Sequence, residues 1–144
     1  MPIIIACGAK KLETEKPVQA KNLYTGSLFK AAWKKAATLD KDVYILSAGY
    51  GLIKPNDLLA TYDIKMTNPI AAYLRRTLDP FDEDCTCILA SMYRKAVPWA
   101  IPLTPILPMG KFLQAIIRLP DGPFEYEERP DGEIKQLLTC HGSL

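Results

Sequence analysis

Histidine is almost absent from this sequence, in which His141 is the only one. We therefore do not expect a Ser-His-Asp triad, a Cys-His dyad or a histidine-ligated metal site. The Walker loop and the Gly-x-Gly-x-x-Gly fingerprint are also missing, so neither standard nucleotide-binding motif is present. Any catalysis has to depend on lysine, aspartate, tyrosine, serine or cysteine.

Long apolar runs are lacking too, since the longest is far below membrane-spanning length. The stretch from Met1 to Cys7 is too short for a signal peptide and has no charged start. We expect a cytoplasmic protein with no membrane partner, in a reducing compartment where cysteines stay mostly free. Cys85 and Cys87 do not have zinc-knuckle spacing, and we expect neither a metal nor a cofactor. The sequence does not indicate an oligomeric state.

The charges are unevenly distributed. Residues 1–119 contain 16 Lys/Arg and 10 Asp/Glu, a net charge of +6, whereas residues 120–144 contain 2 and 6, a net charge of −4. A basic body favours an anionic partner. We predict a core domain over 1–119 and an acidic C-terminal extension over 120–144, packed on the core or trailing from it.

Apolar strand patterns alternate with amphipathic helix patterns along the chain. The predicted strands are Pro2–Cys7, Val43–Leu46, Cys85–Ala90 and Leu103–Leu107. The predicted helices are Ser27–Leu39, Pro69–Leu78 with Asn68 as its cap, Met92–Ala100 and Gly110–Leu119. In the last helix we expect Phe112, Leu113, Ile116 and Ile117 to point inward. A long loop is expected between the second strand and Asn68. The alternation predicts an α/β fold: one three-layer domain with a short, mostly parallel central sheet flanked by helices. Turn signals after residue 119 are compatible with a late hairpin.

Ligands of an open parallel sheet bind beyond the carboxyl ends of its strands. The residues that follow the four predicted strands and could contribute to a site are Cys7, Lys10, Lys11, Ser47, Tyr50, Gly51, Tyr93 and Lys111. We expect the four loops that carry them to converge.

Three kinds of side chain in these loops could carry chemistry. Lys10 or Lys11 could be a nucleophile, a base or a phosphate ligand, although either could also be a solvated loop lysine. Cys7 could be a reactive thiol or a small buried filler. Asp63 could orient a water or act as a base, or it could serve a turn or a helix cap.

The stretch Tyr24–Ser27 comes just before a predicted helix. The hydroxyls of Thr25 and Ser27, with the free N–H groups of the helix start, suit a phosphate, although either residue could simply cap the helix. Four of the seven tyrosines fall in the loops that we expect to converge: Tyr24, Tyr50, Tyr62 and Tyr93. Their rings could stack on a flat base, or they could pack under the loops.

Several stretches resemble an uncharacterised bacterial and phage domain family that is often labelled as similar to the YaaA peroxide-stress proteins. They are Cys7–Lys11, Ala20–Phe29, Leu46–Leu52, Tyr62–Asp63, Leu89–Tyr93 and Met109–Leu113. The resemblance covers roughly Ile3 to Leu119 and leaves the acidic extension outside. YaaA-type proteins are associated with DNA binding, so the resemblance implies a nucleic-acid partner.

More distantly, the arrangement is similar to the uracil-DNA glycosylase fold and to base-modifying domains near archaeosine synthesis. In those domains a Cys-x-x-Lys stretch after the first strand carries a working lysine, which implies Lys10 or Lys11 here. Our first hypothesis is an enzyme of phage or bacterial nucleic-acid metabolism that acts on a nucleobase or its glycosidic bond. The alternatives are a hydrolase or transferase on a free nucleotide or nucleotide sugar, and a non-catalytic nucleic-acid-binding module.

Overall fold

The computed structural model describes residues 1–39, 42–121, 125–128 and 134–137. The helices are α1 (Ala20–Leu23), α2 (Ser27–Leu39), α3 (Asn68–Thr77), α4 (Ser91–Arg94) and α5 (Met109–Arg118). The strands are β1 (Ile3–Ala6), β2 (Val18–Gln19), β3 (Val43–Ser47), β4 (Gly51–Ile53), β5 (Leu58–Leu59), β6 (Thr86–Ile88), β7 (Ile101–Pro102), β8 (Glu125–Glu128) and β9 (Ile134–Leu137).

The central sheet has five strands in the order β4-β3-β1-β6-β7. β1 pairs in parallel with β3 on one side and with β6 on the other, and β7 pairs in parallel with β6. Only β4 is antiparallel, because it follows β3 through a tight turn. The predicted fold class is confirmed: this is a single α/β domain with a short, mostly parallel sheet and flanking helices.

Both faces of the sheet are covered by helices, because side chains along each strand alternate between the two faces. Ile3 and Ile5 of β1 join the core cluster beneath α2 and α5, which also contains Phe29 and Phe112. Ile4 points to the opposite cluster, with Ala71 and Leu74 of α3. All three isoleucines of β1 are at most 1% exposed. A continuous apolar run is the pattern expected of a strand buried on both faces.

The chain changes direction in the sheet at β1. From β1 it crosses by way of α2 to β3, and later it returns by way of α3 to β6 on the other side of β1. The connections therefore diverge at the carboxyl ends of β1 and β6. Such a switch point leaves a crevice where ligands of open α/β sheets bind.

The longer helices follow their predictions closely. α2 has the predicted bounds, and α3 and α5 each begin and end one residue earlier than predicted. The cap of α3 is one residue earlier than predicted, because the Thr67 hydroxyl, and not Asn68, accepts a bond from Ile70 N at 3.4 Å. The prediction that Ile117 points inward is wrong, since its side chain is 55% exposed. α5 turns Phe112 and Ile116 toward α2, and Ile117 lies about 100° further round the helix.

The shorter elements depart further from their predictions. The strand predicted over Leu103–Leu107 is wrong: β7 is Ile101–Pro102, at the sheet edge. Leu103 N still donates to Cys87 O at 2.9 Å, but Pro105, which has no N–H group, does not support a longer ladder. The helix predicted over Met92–Ala100 is only one turn, α4. β4 replaces what we predicted to be the start of a long loop, and the two-residue strands β2 and β5 were not predicted.

A late hairpin is present, as the turn signals suggested, because β8 and β9 pair antiparallel. At the start of the acidic extension, the Lys35 ammonium contacts Leu119 O at 2.8 Å and the Asp121 carboxylate at 2.6 Å. The division into a core and an acidic extension stays a prediction. In the part of the chain that the structure describes, every helix falls short of the length and apolar character that a membrane crossing requires.

We predict that Ile45→Ala lowers the free energy of unfolding by about 2–5 kcal/mol, measured by urea denaturation, because it leaves a cavity in a packed core. Ile45 lies in the middle of β3 and is fully buried. The matched control, Ile117→Ala on the exposed side of α5, should change the same free energy by no more than about 0.5 kcal/mol. Equal losses would contradict the assignment of the core.

Candidate functional site

A pocket of about 430 Å³ occupies the crevice at the carboxyl ends of β1 and β6. We call it the β1–β6 pocket. Its volume lies in the range of ligand-binding clefts. Its lining residues come from β1 and the loop after it, from the start of α2, from β6 and α4, from α5, and from the segment before α3. They are Ala6, Cys7, Gly8, Ala9, Lys10, Gly26, Ser27, Leu28, Phe29, Ala32, Lys65, Met66, Ile88, Ala90, Met92, Tyr93, Phe112 and Ile116.

Of the predicted site residues, the structure brings Cys7, Lys10, Ser27 and Tyr93 to this pocket. These four come from three different segments of the chain. The predicted convergence therefore holds for the loops after β1 and β6. The start of α2, which the sequence predicts as a separate feature, lies at the same pocket.

Backbone contacts fix the loop after β1 against the segment before α2. Gly8 has φ +130°, a conformation that favours glycine, and it turns the chain out of the sheet. Thr25 N donates to Lys10 O at 3.0 Å, and Leu12 N donates to Leu23 O at 2.7 Å. These bonds place Lys10 beside the start of α2, where its Cβ lies 3.8 Å from the position that a Cβ on Gly26 would take.

Cys7 and Tyr93 form a contact in the pocket wall. The Cys7 sulfur lies 3.4 Å from the Tyr93 hydroxyl oxygen, and Cys7 is buried. Burial raises the pKa of the Tyr93 phenol, and the nearby Cys7 raises it further. Tyr93 is therefore protonated at neutral pH and available as a hydrogen-bond donor, not as a base.

Behind the pocket, three hydroxyl groups form a closed ring, which we call the hydroxyl ring. Tyr24 O–H donates to Ser47 Oγ at 3.2 Å, Ser47 Oγ is 2.6 Å from the Tyr62 hydroxyl, and the Tyr62 and Tyr24 hydroxyls are 2.7 Å apart. Gly49 N and Tyr50 N also donate to Ser47 Oγ, at 3.2 and 3.0 Å.

The directions of these hydrogen bonds follow from the donor count. Because the lone pairs of Ser47 Oγ are occupied by donors, its own proton points to Tyr62, and the Tyr62 proton points to Tyr24. Each hydroxyl then donates once within the ring. The buried polar side chain of Ser47, which is 0% exposed, is fully satisfied.

The ring is buried among apolar groups, and this affects its acidity. Burial raises the pKa of Tyr24 to about 12, against the lowering effect of its hydrogen bonds with Ser47 and Tyr62. Burial also raises the pKa of Tyr62, with a further contribution from the nearby Cys7. The ring therefore carries no charge at neutral pH, and neither phenol is a base there.

Gly49 makes room for Tyr62. A Cβ on Gly49 would lie 2.8 Å from two carbons of the Tyr62 ring, closer than real Cβ contacts. The Tyr62 ring also packs edge-on against Tyr50, with centroids 5.2 Å apart. Tyr24 and Tyr62 thus act together with Ser47 as a support for the strand ends, and their hydroxyls are already engaged.

The two candidate lysines have different environments. The Lys11 ammonium lies 4.3 Å from the centroid of the Tyr62 ring and donates to Ala9 O at 3.1 Å. It is a cation–π partner of the aromatic cluster and does not line the β1–β6 pocket. Of the pair, Lys10 is the one at the pocket.

The remaining predicted site residues lie elsewhere. Tyr50 and Gly51 line a hollow between β4 and α3, and Tyr50 O–H donates to Ala60 O at 2.8 Å. Lys111 lines another hollow beside Leu103 and Arg118. Asp63 is exposed on the loop between Tyr62 and Lys65, and Thr25 is half-buried behind Lys10. The structure does not bring Tyr50, Gly51 and Lys111 together with Lys10 and Tyr93, so the expected convergence of all four loops is wrong. It fails because the turn after β3 and the start of β4 place Tyr50 and Gly51 beside α3, and because Lys111 is exposed on α5.

Sequence reasoning missed several residues of the pocket. Lys65 and Met66 reach it from the segment before α3, and Met92 reaches it from α4. No motif marks Lys65, and only its position two residues after Asp63 could have suggested it. Among the described residues there is no group of three or more His, Cys, Asp or Glu side chains that could hold a metal ion.

Residues 3–97 match the sequence model of a family of unknown function, DUF6884. The match spans about two thirds of the chain, and the chain therefore belongs to this family. It takes in β1 to α4, with Cys7, Lys10, Ser27 and Tyr93, and it ends before α5. No curated protein matches the chain.

We predict that Tyr24→Phe lowers the free energy of unfolding at pH 7 by about 1–3 kcal/mol, because the buried Tyr62 hydroxyl loses its acceptor. The same variant should flatten the alkaline loss of stability. Folding raises the Tyr24 pKa from 10.0 to about 12, so the unfolded chain releases this proton first as the pH rises. The stabilisation is complete below pH 10 and is lost between pH 10 and 12, at up to about 1.4 kcal/mol per pH unit.

Urea denaturation at a series of pH values measures both effects. Tyr73→Phe, at an exposed tyrosine on α3, is the control and should change neither the stability at pH 7 nor the alkaline slope. A Tyr24→Phe variant as stable as the parent chain would rule out the ring as an intact hydrogen-bonded unit.

Proposed function

We propose that this chain binds a nucleotide, free or as a unit of a nucleic acid, in the β1–β6 pocket and acts on its base or its glycosidic bond. The observation that carries the proposal is the division of the pocket into two parts. Its interior is apolar and aromatic, whereas the exposed residues Lys10, Ser27 and Lys65 surround its open side. A nucleotide has the matching division between a flat base and an anionic phosphate.

The interior suits the base. Phe29, Ile88 and Ile116 are buried apolar side chains of the lining, and Met92 adds an adaptable side chain. Tyr93 supplies an aromatic ring with a protonated hydroxyl, which can donate to a ring nitrogen or a carbonyl oxygen of a base. A few polar groups in an apolar cleft are what fixes the orientation of a small ligand.

The open side suits the phosphate. α2 has 13 residues, and Ser27 and Leu28 of its first turn line the pocket. The first N–H groups of a helix have no partner within the helix and can bind a ligand. The positive end of the helix dipole favours an anion there. The Lys10 Cβ lies close to Gly26, just before α2, and Lys65 lines the same pocket. Two ammonium groups therefore add to the positive electrostatic potential at the start of the helix.

For hydrolysis of a glycosidic bond, the groups of the pocket take the following parts. Water adds its oxygen to C1′ while the bond from C1′ to the base breaks, and the departing base takes the bonding electrons and a proton. Lys10, on the open side with the phosphate, acts on the departing base through its positive field, which favours the negative charge that develops there. Tyr93 donates a hydrogen bond to the same base.

A second candidate is binding without turnover, either of nucleic acid or of a small ligand. The observation that favours it is that the predicted carboxylate, Asp63, is exposed and outside the pocket, while the phenols near the pocket are protonated at neutral pH. A hydrolase or transferase on free nucleotides or nucleotide sugars would use the same pocket. The likenesses to YaaA proteins and to uracil-DNA glycosylases stay predictions.

We predict that Lys10→Ala weakens the binding of nucleoside monophosphates about 10- to 100-fold in isothermal titration calorimetry, because a charge-assisted bond to phosphate is lost. Binding of the corresponding nucleosides, which have no phosphate, should change less than about twofold. Lys16→Ala is the control, since Lys16 is an exposed lysine of the same loop, outside the pocket.

Equal losses in Lys10→Ala and Lys16→Ala would contradict the phosphate assignment. Turnover is tested on the same variants by following release of free base from oligonucleotides and nucleotides. Release by the parent chain and none by Lys10→Ala, under saturating substrate, supports an enzyme. Tight binding by the parent chain without release of any base supports the non-catalytic candidate.

A further inference from the structure

Helix α3 separates two hollows on the face of the sheet opposite α2. The first, of about 340 Å³, lies between α3 and the end of α4 and is lined by Asn68, Ala72, Arg75, Arg76 and Lys95. We call it the basic hollow. The second, of about 560 Å³, lies between α3 and β4, and Tyr50, Ile64 and Tyr73 are among its lining residues. We call it the aromatic hollow.

The basic hollow collects three cations from two segments of the chain. Arg75 and Arg76 are exposed, and among the described residues neither guanidinium has a hydrogen bond or an ion pair with a side chain. The dipole of α3 favours positive charge in the last turn of the helix, which is enough to account for Arg75 and Arg76 without a ligand. It does not explain Lys95, which comes from the segment after α4 and reaches Asn68 Oδ1 at 3.0 Å.

The aromatic hollow exposes large apolar groups. Tyr73 is 58% exposed, Ile64 is 44% exposed and Tyr50 is 43% exposed. Tyr73 lines the aromatic hollow, and the two arginines line the basic hollow on the other side of α3. A linear ligand laid across the helix would therefore contact cations on one side and an aromatic ring on the other. Arg94, by contrast, is committed to Leu89 O and Thr104 and is not part of this surface.

We propose that α3 binds a single strand of nucleic acid, with its phosphates in the basic hollow and a base stacked on Tyr73. Proteins that bind single strands combine a positive groove for the backbone with aromatic rings for the bases. A single strand fits better than a duplex, because duplex bases are already stacked on one another and do not present their faces. This inference rests on the proposed function, and it selects a nucleic acid over a free nucleotide as the ligand.

The surface leads to the β1–β6 pocket. α3 begins at Asn68, just after Lys65 and Met66 of the pocket lining, and Lys95 of the basic hollow follows Tyr93 by two residues. The distance along the axis from Asn68 to Arg75 is about 10 Å, given the rise of an α-helix. A strand held on α3 would therefore deliver a neighbouring nucleotide to the pocket.

The test is fluorescence anisotropy with a labelled single-stranded oligonucleotide of mixed sequence, over a series of salt concentrations. Arg75→Gln/Arg76→Gln should weaken binding about 25-fold at 0.1 M salt and reduce the slope of log K against log salt by about 1.4, since two phosphate contacts are lost. Tyr73→Ser should weaken binding at least about fivefold and leave the slope unchanged, because a stacked base carries no charge.

Matched controls separate this surface from a general effect of charge or hydrophobicity. Lys34→Gln/Arg118→Gln removes two exposed cations from α2 and α5, and Arg118 occupies the last turn of its helix as the arginines of α3 do. Ile117→Ser removes an exposed apolar side chain from α5. Both control variants should bind the single-stranded oligonucleotide with an affinity within about twofold of that of the parent chain. Losses equal to those of the α3 variants would overturn the proposal, as would tighter binding of a duplex of the same sequence or equal competition by polyglutamate.

The outcome is distinguishable from a failure of the proposed function. The α3 variants should bind nucleoside monophosphates as the parent chain does, because none of their residues lines the β1–β6 pocket. Mononucleotide binding without single-strand binding would overturn the α3 surface and leave the pocket assignment standing. Single-strand binding that depends on α3 while no mononucleotide binds would support the surface and contradict the pocket assignment.

Discussion

Parallel pairing on both sides of β1 is the constraint from which the rest of this structure follows. A strand in that position is buried on both faces, and its backbone groups are paired with β3 and β6. Because a parallel neighbour cannot be reached through a tight turn, each of these pairings needs a crossover. The crossovers through α2 and α3 cover opposite faces of the sheet, so they open a crevice where β1 and β6 end. The location of the pocket is thus a consequence of strand order, and its chemistry is a consequence of the few residues that follow each strand.

Tyrosine has three different roles around this crevice. Tyr24 and Tyr62 close a ring with Ser47 beneath the strand ends, Tyr93 faces the pocket beside Cys7, and Tyr50 is turned away to bind Ala60 O. The first pair is a neutral, internally satisfied support, and its contribution is to hold the end of β3 and the loop at residue 62 in one arrangement. Of these four tyrosines, Tyr93 is the one that lines the pocket and can meet a ligand there.

The parts of the fold that could be predicted are those in which local pattern and tertiary environment agree. The run Ile3–Ala6 is apolar at every position, and α2 repeats apolar residues at helical spacing, so both elements were predicted closely. The two-residue strands β2 and β5 have no such pattern, because a pair of residues contains no periodicity. The edge strand β7 contains proline, which hides it in the sequence. Lys10 and Lys11 could not be told apart by sequence, since adjacent residues point in different directions only once the backbone is fixed. Tyr50 and Lys111 were placed at the site because they follow predicted strands, and a tight turn and a helix start carry them away from it.

The contact between Gly49 and the Tyr62 ring limits which substitutions the chain can tolerate at these two positions. The two positions are thirteen residues apart in the chain, yet the volume available to one is set by the other, because the ring fills the space where a Cβ would stand. A larger residue at position 49 is compatible with the loop only if the residue at position 62 becomes smaller, and the smaller residue would give up the phenol that links Tyr24 to Ser47. The sizes of the residues that can occupy these two positions are therefore coupled. A substitution at one position alone leaves two residues that do not fit each other.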